Sequence, residues 1–130
     1  MTTGADRTWN LASPDGTPSD WTDGTPALLV SHCEACGRKW YLRRPACPSC
    51  GGARITRIPA AGRGHVAAVT VAHRRVRGGD PIGIALVDLE EGVRVMTRCR
   101  RGTTVGQAVS IAIVSLNEPG ETSSLVPMVL

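Results

Sequence analysis

Phenylalanine is absent from the 130 residues, and the whole aromatic complement is three tryptophans and one tyrosine: Trp9, Trp21, Trp40 and Tyr41. Residues 57–130 hold none of them. Barrels that bind single strands lay bases on aromatic side chains, each worth about 1–3 kcal/mol. A nucleic-acid surface in this part of the chain would therefore rest on phosphate contacts and fade steeply with salt. No run of about eighteen apolar residues occurs, so no membrane-spanning helix is expected. Met1-Thr2-Thr3-Gly4-Ala5-Asp6 leads into no apolar stretch of the kind a secretion signal carries, and a cytoplasmic protein is expected. Enzyme signatures are missing as well. There is no Gly-x-Ser-x-Gly elbow, phosphate loop or dinucleotide fingerprint, and His32, His65 and His73 have no adjacent serine–aspartate or cysteine partner pattern. Lysine occurs once, as Lys39, against fourteen arginines; the bias suits bidentate recognition of phosphate or carboxylate, and equally a GC-rich genome.

Four of the five cysteines fall in two Cys-x-x-Cys-Gly units, Cys33-Glu34-Ala35-Cys36-Gly37 and Cys47-Pro48-Ser49-Cys50-Gly51. Two residues between thiols let both sulfurs face one ion, and the following glycine permits the positive φ such a knuckle needs. Two knuckles back to back close a tetrahedral four-thiolate cage around one zinc. Disulfides would need an oxidising compartment, and a redox Cys-x-x-Cys comes once, not twice. With Cys33, Cys36, Cys47 and Cys50 filling the coordination sphere, no position stays open for substrate, so the zinc is expected to be structural. His32 is then left beside the site or on the surface. Cys99 falls among Val93, Val95 and Thr97 on the apolar side of an alternating strand, the place of a buried small hydrophobe rather than a nucleophile.

Three regions follow. Residues 1–27, rich in Pro, Gly, Ser, Thr and Asp, read as an extended arm that cannot bury enough surface to fold alone. Its Trp9 and Trp21 either lie back on the protein's own core or anchor a partner. Residues 28–56 form the zinc ribbon, with a hairpin over Lys39-Trp40-Tyr41-Leu42-Arg43-Arg44-Pro45. There Trp40 and Tyr41 pack over the metal or the next domain, or serve as partner anchors; a basic-aromatic cluster of this kind also suits nucleic acid. From residue 57 the pattern is β, with runs at 65–74, 81–89, 93–100, 108–116 and 125–130. The clearest is Val93–Arg100, which puts Val93, Val95, Thr97 and Cys99 on one face and Arg94, Met96, Arg98 and Arg100 on the other. Five short strands in about seventy residues fit a small closed barrel, most commonly an OB-fold, with an SH3-like barrel the alternative. The net charge of +4 is unevenly spread: residues 33–101 carry fourteen of the fifteen basic residues and five acidic ones, and both flanks are acidic.

The order of these parts carries a resemblance. The two knuckles, Gly62-Arg63-Gly64, the run Val69-Thr70-Val71-Ala72-His73-Arg74, the run Ile84-Ala85-Leu86-Val87-Asp88-Leu89-Glu90-Glu91-Gly92 and Val105-Gly106-Gln107-Ala108-Val109 together resemble the acyl-CoA-associated family of zinc-ribbon plus OB-fold proteins over residues 28–130. The resemblance implies a mainly β protein with a rubredoxin-like ribbon and a five-stranded OB-fold barrel at 57–130. It further implies a non-catalytic accessory subunit, in a hetero-oligomer with a thiolase-fold enzyme or a lipid-transfer-protein-like aldolase, that completes or covers the partner's CoA-binding channel. Coenzyme A carries phosphates, and Arg74, Arg75 and Arg77 on a glycine-rich turn, or Arg94, Arg98 and Arg100 on one strand face, are candidates to contact a CoA thioester shared with the partner, or an acidic partner surface. A single-stranded nucleic-acid binder is the alternative function.

Overall fold

Residues 18–73, 81–116 and 124–130 are described by the structure, a computed structural model. Their eight strands form two sheets. The first belongs to the ribbon: β1 (Leu29–Cys33) lies between β2 (Lys39–Trp40) and β3 (Ile55–Pro59), both antiparallel to it. As the central strand, β1 is covered on both faces, and Leu29, Val30, Ser31 and Cys33 are all buried. The expected hairpin pairs only through Lys39 and Trp40. Beyond them Tyr41 and Arg43 turn to other partners, and Pro45 has no N–H for a ladder.

The second sheet closes on itself. Strands β4 (Arg63–Ala72), β5 (Ile82–Leu89), β6 (Arg94–Cys99), β7 (Ala108–Leu116) and β8 (Ser124–Val129) form a barrel in the order β4-β5-β6-β8-β7. Arg63, Gly64 and His65 pair with Ser110, Val109 and Ala108 to join β4 to β7, and β6 meets β8 in parallel at Arg98 and Met128. This Greek-key closure is that of an OB-fold and settles the choice against an SH3-like barrel. The alternation in β6 holds: Val95, Thr97 and Cys99 are buried, while Arg94 and Met96 are exposed. Cys99 is a core residue. Gly64 sits where β4 crosses β5 so closely that a Cβ would lie 2.2 Å from the Asp88 carbonyl oxygen, so only glycine fits. A register shift between Val66 and Ala68 bends β4 as the barrel closes.

Ribbon and barrel share one core. Leu28 and Val30 pack with Val66, Val87, Val95 and Val129, and Ile58 of β3 packs against the same cluster. Strand β3 runs across the 56/57 boundary, pairing wholly within the ribbon sheet. Residues 18–27, placed by composition in an extended arm, instead form a folded strap. Asp20 caps a 3₁₀ turn at Trp21–Asp23, and Ser19, Asp20, Thr25 and Ala27 are buried. Among the described residues no helix is long and apolar enough to cross a membrane.

Candidate metal centre and the strap beside it

Each knuckle is built by the same local bonds. Gly37 N–H donates to the Cys33 carbonyl and Gly51 N–H to the Cys47 carbonyl, both at 2.9 Å. The chain can close these turns because the glycines take φ of 81° and 75°. Cys33 N–H donates back to Arg38 O at 2.8 Å and Cys47 N–H to Gly52 O at 2.9 Å, so each first cysteine is anchored in the same way. The four sulfurs lie within 4.8 Å of one another, with Cys33–Cys50 and Cys36–Cys47 at 3.6 Å. A disulfide needs about 2.05 Å, whereas zinc–sulfur bonds of about 2.3 Å in a tetrahedron place sulfurs about 3.8 Å apart. The donor set fits zinc.

Electrostatics agree with that fit. Backbone N–H groups of Ser49 and Gly52 point at the sulfurs of Cys47 and Cys50, at 3.3 and 3.4 Å. Burial is the largest influence on Cys47 and pushes its thiol up, but the N–H groups of Cys50 and Ser49, helped by the neighbouring thiols, outweigh it and bring it down to about 6. On Cys36 the Arg38 N–H favours the thiolate, yet the sulfurs of Cys47, Cys50 and Cys33 push the thiol up to about 11. Four sulfurs so close share protons unequally; a divalent cation lets all four ionise. Trp40 is buried against Cys33 and Cys47 with Ile55 beside it, covering the inner side of the cluster, while Cys36 and Cys50 are exposed. His32 stays outside, its Nδ1 at 3.1 Å from Glu34 Oε2. The Thr56 hydroxyl bond first, then His32, holds the Glu34 carboxyl below the ordinary carboxylate range.

The strap was not visible from sequence as a structural part. Arg57, on β3, is buried and forms an ion pair with buried Asp20, and its Nη1 donates to Ser31 Oγ at 2.8 Å and Tyr41 O at 3.0 Å. Arg43 reaches the same turn through Asp23, Thr22 Oγ1 and the Pro18 carbonyl. Trp21 Nε1 donates to the Tyr41 hydroxyl at 2.9 Å. Burial, the largest influence, raises the Tyr41 phenol above its ordinary value. Tyr41 and Trp21 both pack against the barrel core. Of the aromatics named as partner anchors, Trp40 and Tyr41 are therefore used within the chain, Trp21 is half-buried, and Trp9 lies outside the described residues.

So do Arg74, Arg75 and Arg77. Arg94 and Arg98 lie on the outer face of β6 and Arg100 just beyond its end, and the three do not converge on a cavity: Arg94 makes a two-pronged bond to Asp88, at 2.7 and 3.1 Å, Arg98 is half-buried and Arg100 is exposed.

Comparison with known proteins extends these observations. Residues 24–56 match the model of the ChsH2 rubredoxin-like zinc ribbon domain, and residues 57–119 that of the ChsH2 C-terminal OB-fold domain. Among solved structures, an Ltp2–ChsH2(DUF35) aldolase is similar at 28% identity and TM-score 0.66, over 79% of this chain and 83% of that one. A DUF35-family protein of unknown function from Sulfolobus solfataricus shares the fold at 21% identity and TM-score 0.52, over 80% of this chain and 76% of that one. No curated protein matches the sequence. With the two models in tandem from residue 24 to 119 and the same order of ribbon and barrel in the structure, the chain belongs to the ChsH2-type family of zinc-ribbon and OB-fold proteins.

Proposed function

We propose that this chain is the non-catalytic small subunit of an acyl-CoA-processing complex. It holds an aldolase or thiolase-fold partner and helps to order that enzyme's CoA-binding channel, while the chemistry stays on the partner. The observation that carries this is the likeness to the Ltp2–ChsH2(DUF35) aldolase, which runs through most of the chain rather than through the barrel alone. The side chains support it. His65 and His73 are exposed on and just beyond β4, His32 faces Glu34, and Cys99 is enclosed in the barrel. Among the described residues the one pairing of these side chains with a carboxylate, His32 with Glu34, is a solvent-facing contact. Zinc, held by Cys33, Cys36, Cys47 and Cys50, supplies rigidity: with four thiolates bound it has no site for a substrate. The contribution to catalysis is then positional, through the ordering of a neighbouring surface.

A tagged copy expressed in its native host, treated with nuclease and washed in moderate salt, tests this. A thiolase-fold or aldolase subunit is expected in near-equal amount by mass spectrometry. Nuclease-sensitive nucleic acid with no such enzyme would replace the proposal with the single-strand-binding alternative.

A further inference from the structure

The outside of an antiparallel barrel in water is ordinarily polar, alternating with an apolar interior. Part of this barrel departs from that rule. Core-facing Ala85, Val87, Val95 and Thr97 fix which residues of β5 and β6 point outward, and the register sets Ile84 beside Arg98 and Leu86 beside Met96 on that outer face. Met96 is 59% exposed at its centre. Next to it a recess of about 160 Å³ is walled mainly by Trp21, Ile84, Met96, Val126 and Pro127, with Thr97 and Arg98 completing it. The strap thus brings an indole to the rim of an apolar sheet face, and Trp and Met are side chains enriched at interface cores.

The charges around this face are one-sided. At one end Arg94 is neutralised by Asp88. At the other, Arg100 and the adjoining Arg101 are exposed, and among the described residues neither meets a carboxylate. A second copy of this chain would complement them poorly, because the carboxylate this face carries, Asp88, is already taken by Arg94. The complementary surface is apolar at its centre, has one side chain that fills the recess, and carries carboxylates along one edge.

From these features we infer that the outer face of β5 and β6, with Trp21, is where the enzyme subunit docks, through an apolar patch edged by Asp or Glu. This rests on the accessory function proposed above and adds the surface and the chemistry of its counterpart. Binding of the full-length zinc-loaded chain to the enzyme subunit that co-purifies with it is the test. Met96→Glu is expected to weaken binding at least about tenfold while zinc content and melting stay as in the parent, because Met96 is already mostly in water. Arg100→Glu should weaken it less and flatten its salt dependence. Val105→Glu, at the most exposed large apolar side chain among the described residues, should leave binding unchanged. Unchanged binding by Met96→Glu and Arg100→Glu, or an equal loss with Val105→Glu, would overturn the docking face and leave the accessory function standing. If the parent retains no thiolase-fold or aldolase subunit, both fall. A homodimer or an attachment to anionic vesicles that Met96→Glu abolishes would also overturn the inference, in favour of a second copy or a membrane.

Discussion

Arg57 and Asp20 hold the most consequential pair of charges in the chain. Their side chains are 2% and 3% exposed, so each depends on the other and on neighbouring donors and acceptors for the hydration it has given up. Asp20→Ala would take a carboxylate away from a buried guanidinium that keeps Ser31 and the Tyr41 carbonyl among its partners. A loss of about 3–5 kcal/mol in denaturant unfolding is expected, and Asp20→Asn, which keeps the shape and the cap on Thr22, should lose part of it. A second substitution, Arg57→Met, should recover much of the loss, since the penalty comes from the buried charge. A double variant as unstable as Asp20→Ala would show that the strap matters through packing alone. Nothing local in the sequence marks this pair: Asp20 sits in a Pro- and Gly-rich stretch and Arg57 at the start of a β pattern, 37 residues away.

At the scale of elements, the strap, the ribbon hairpin and β8 meet at the Trp21–Tyr41 bond. Because the folded chain raises the Tyr41 phenol above its ordinary value, the folded state keeps this proton at a pH where the unfolded chain has lost it. Stability from this site is complete below about pH 10, the ordinary phenol value, and declines as pH rises beyond it. Melting temperature is expected to fall more steeply above that pH in the parent than in Tyr41→Phe. Tyrosinate absorbance reads the same event directly, as Tyr41 is the only tyrosine; equal slopes for the two proteins would contradict it. What was legible beforehand follows from locality. The knuckles are contiguous, so their spacing dictates the cage, and the alternation of Val93 to Arg100 is a property of one strand. The Val66–Ala68 bulge, the pairing of β6 with β8 and the folding of residues 18–27 depend on contacts distant in sequence, and composition alone placed the last of these in an extended arm.

At the scale of the molecule, the ribbon and barrel behave as one unit if the core is as continuous as Leu28, Val30 and Ile58 make it. The ribbon has too little apolar surface to fold without its metal. Losing it would strip cover from Val66 and Val87 and release the strap from Arg57 and Tyr41. Cys47→Ser, which removes one thiolate, is therefore expected to abolish stoichiometric zinc and lower the melting temperature of the whole chain by about 10 °C or more. Two probes distinguish this from loss of the ribbon alone. Trp21 and Trp40 lie in the strap and the ribbon, so their fluorescence follows those parts, while the far-ultraviolet strand signal comes mostly from the barrel. In the parent the two are expected to change in one coincident transition, and in Cys47→Ser to move down together. A barrel signal left in place while the tryptophan signal shifts would mean that Leu28 and Val30 are dispensable to the barrel. The metal would then stiffen only the ribbon, and the outer face of β5 and β6 would keep its shape without it. A shared transition makes zinc a condition for that face too, because Trp21 reaches it only through a strap held by β3 and the ribbon.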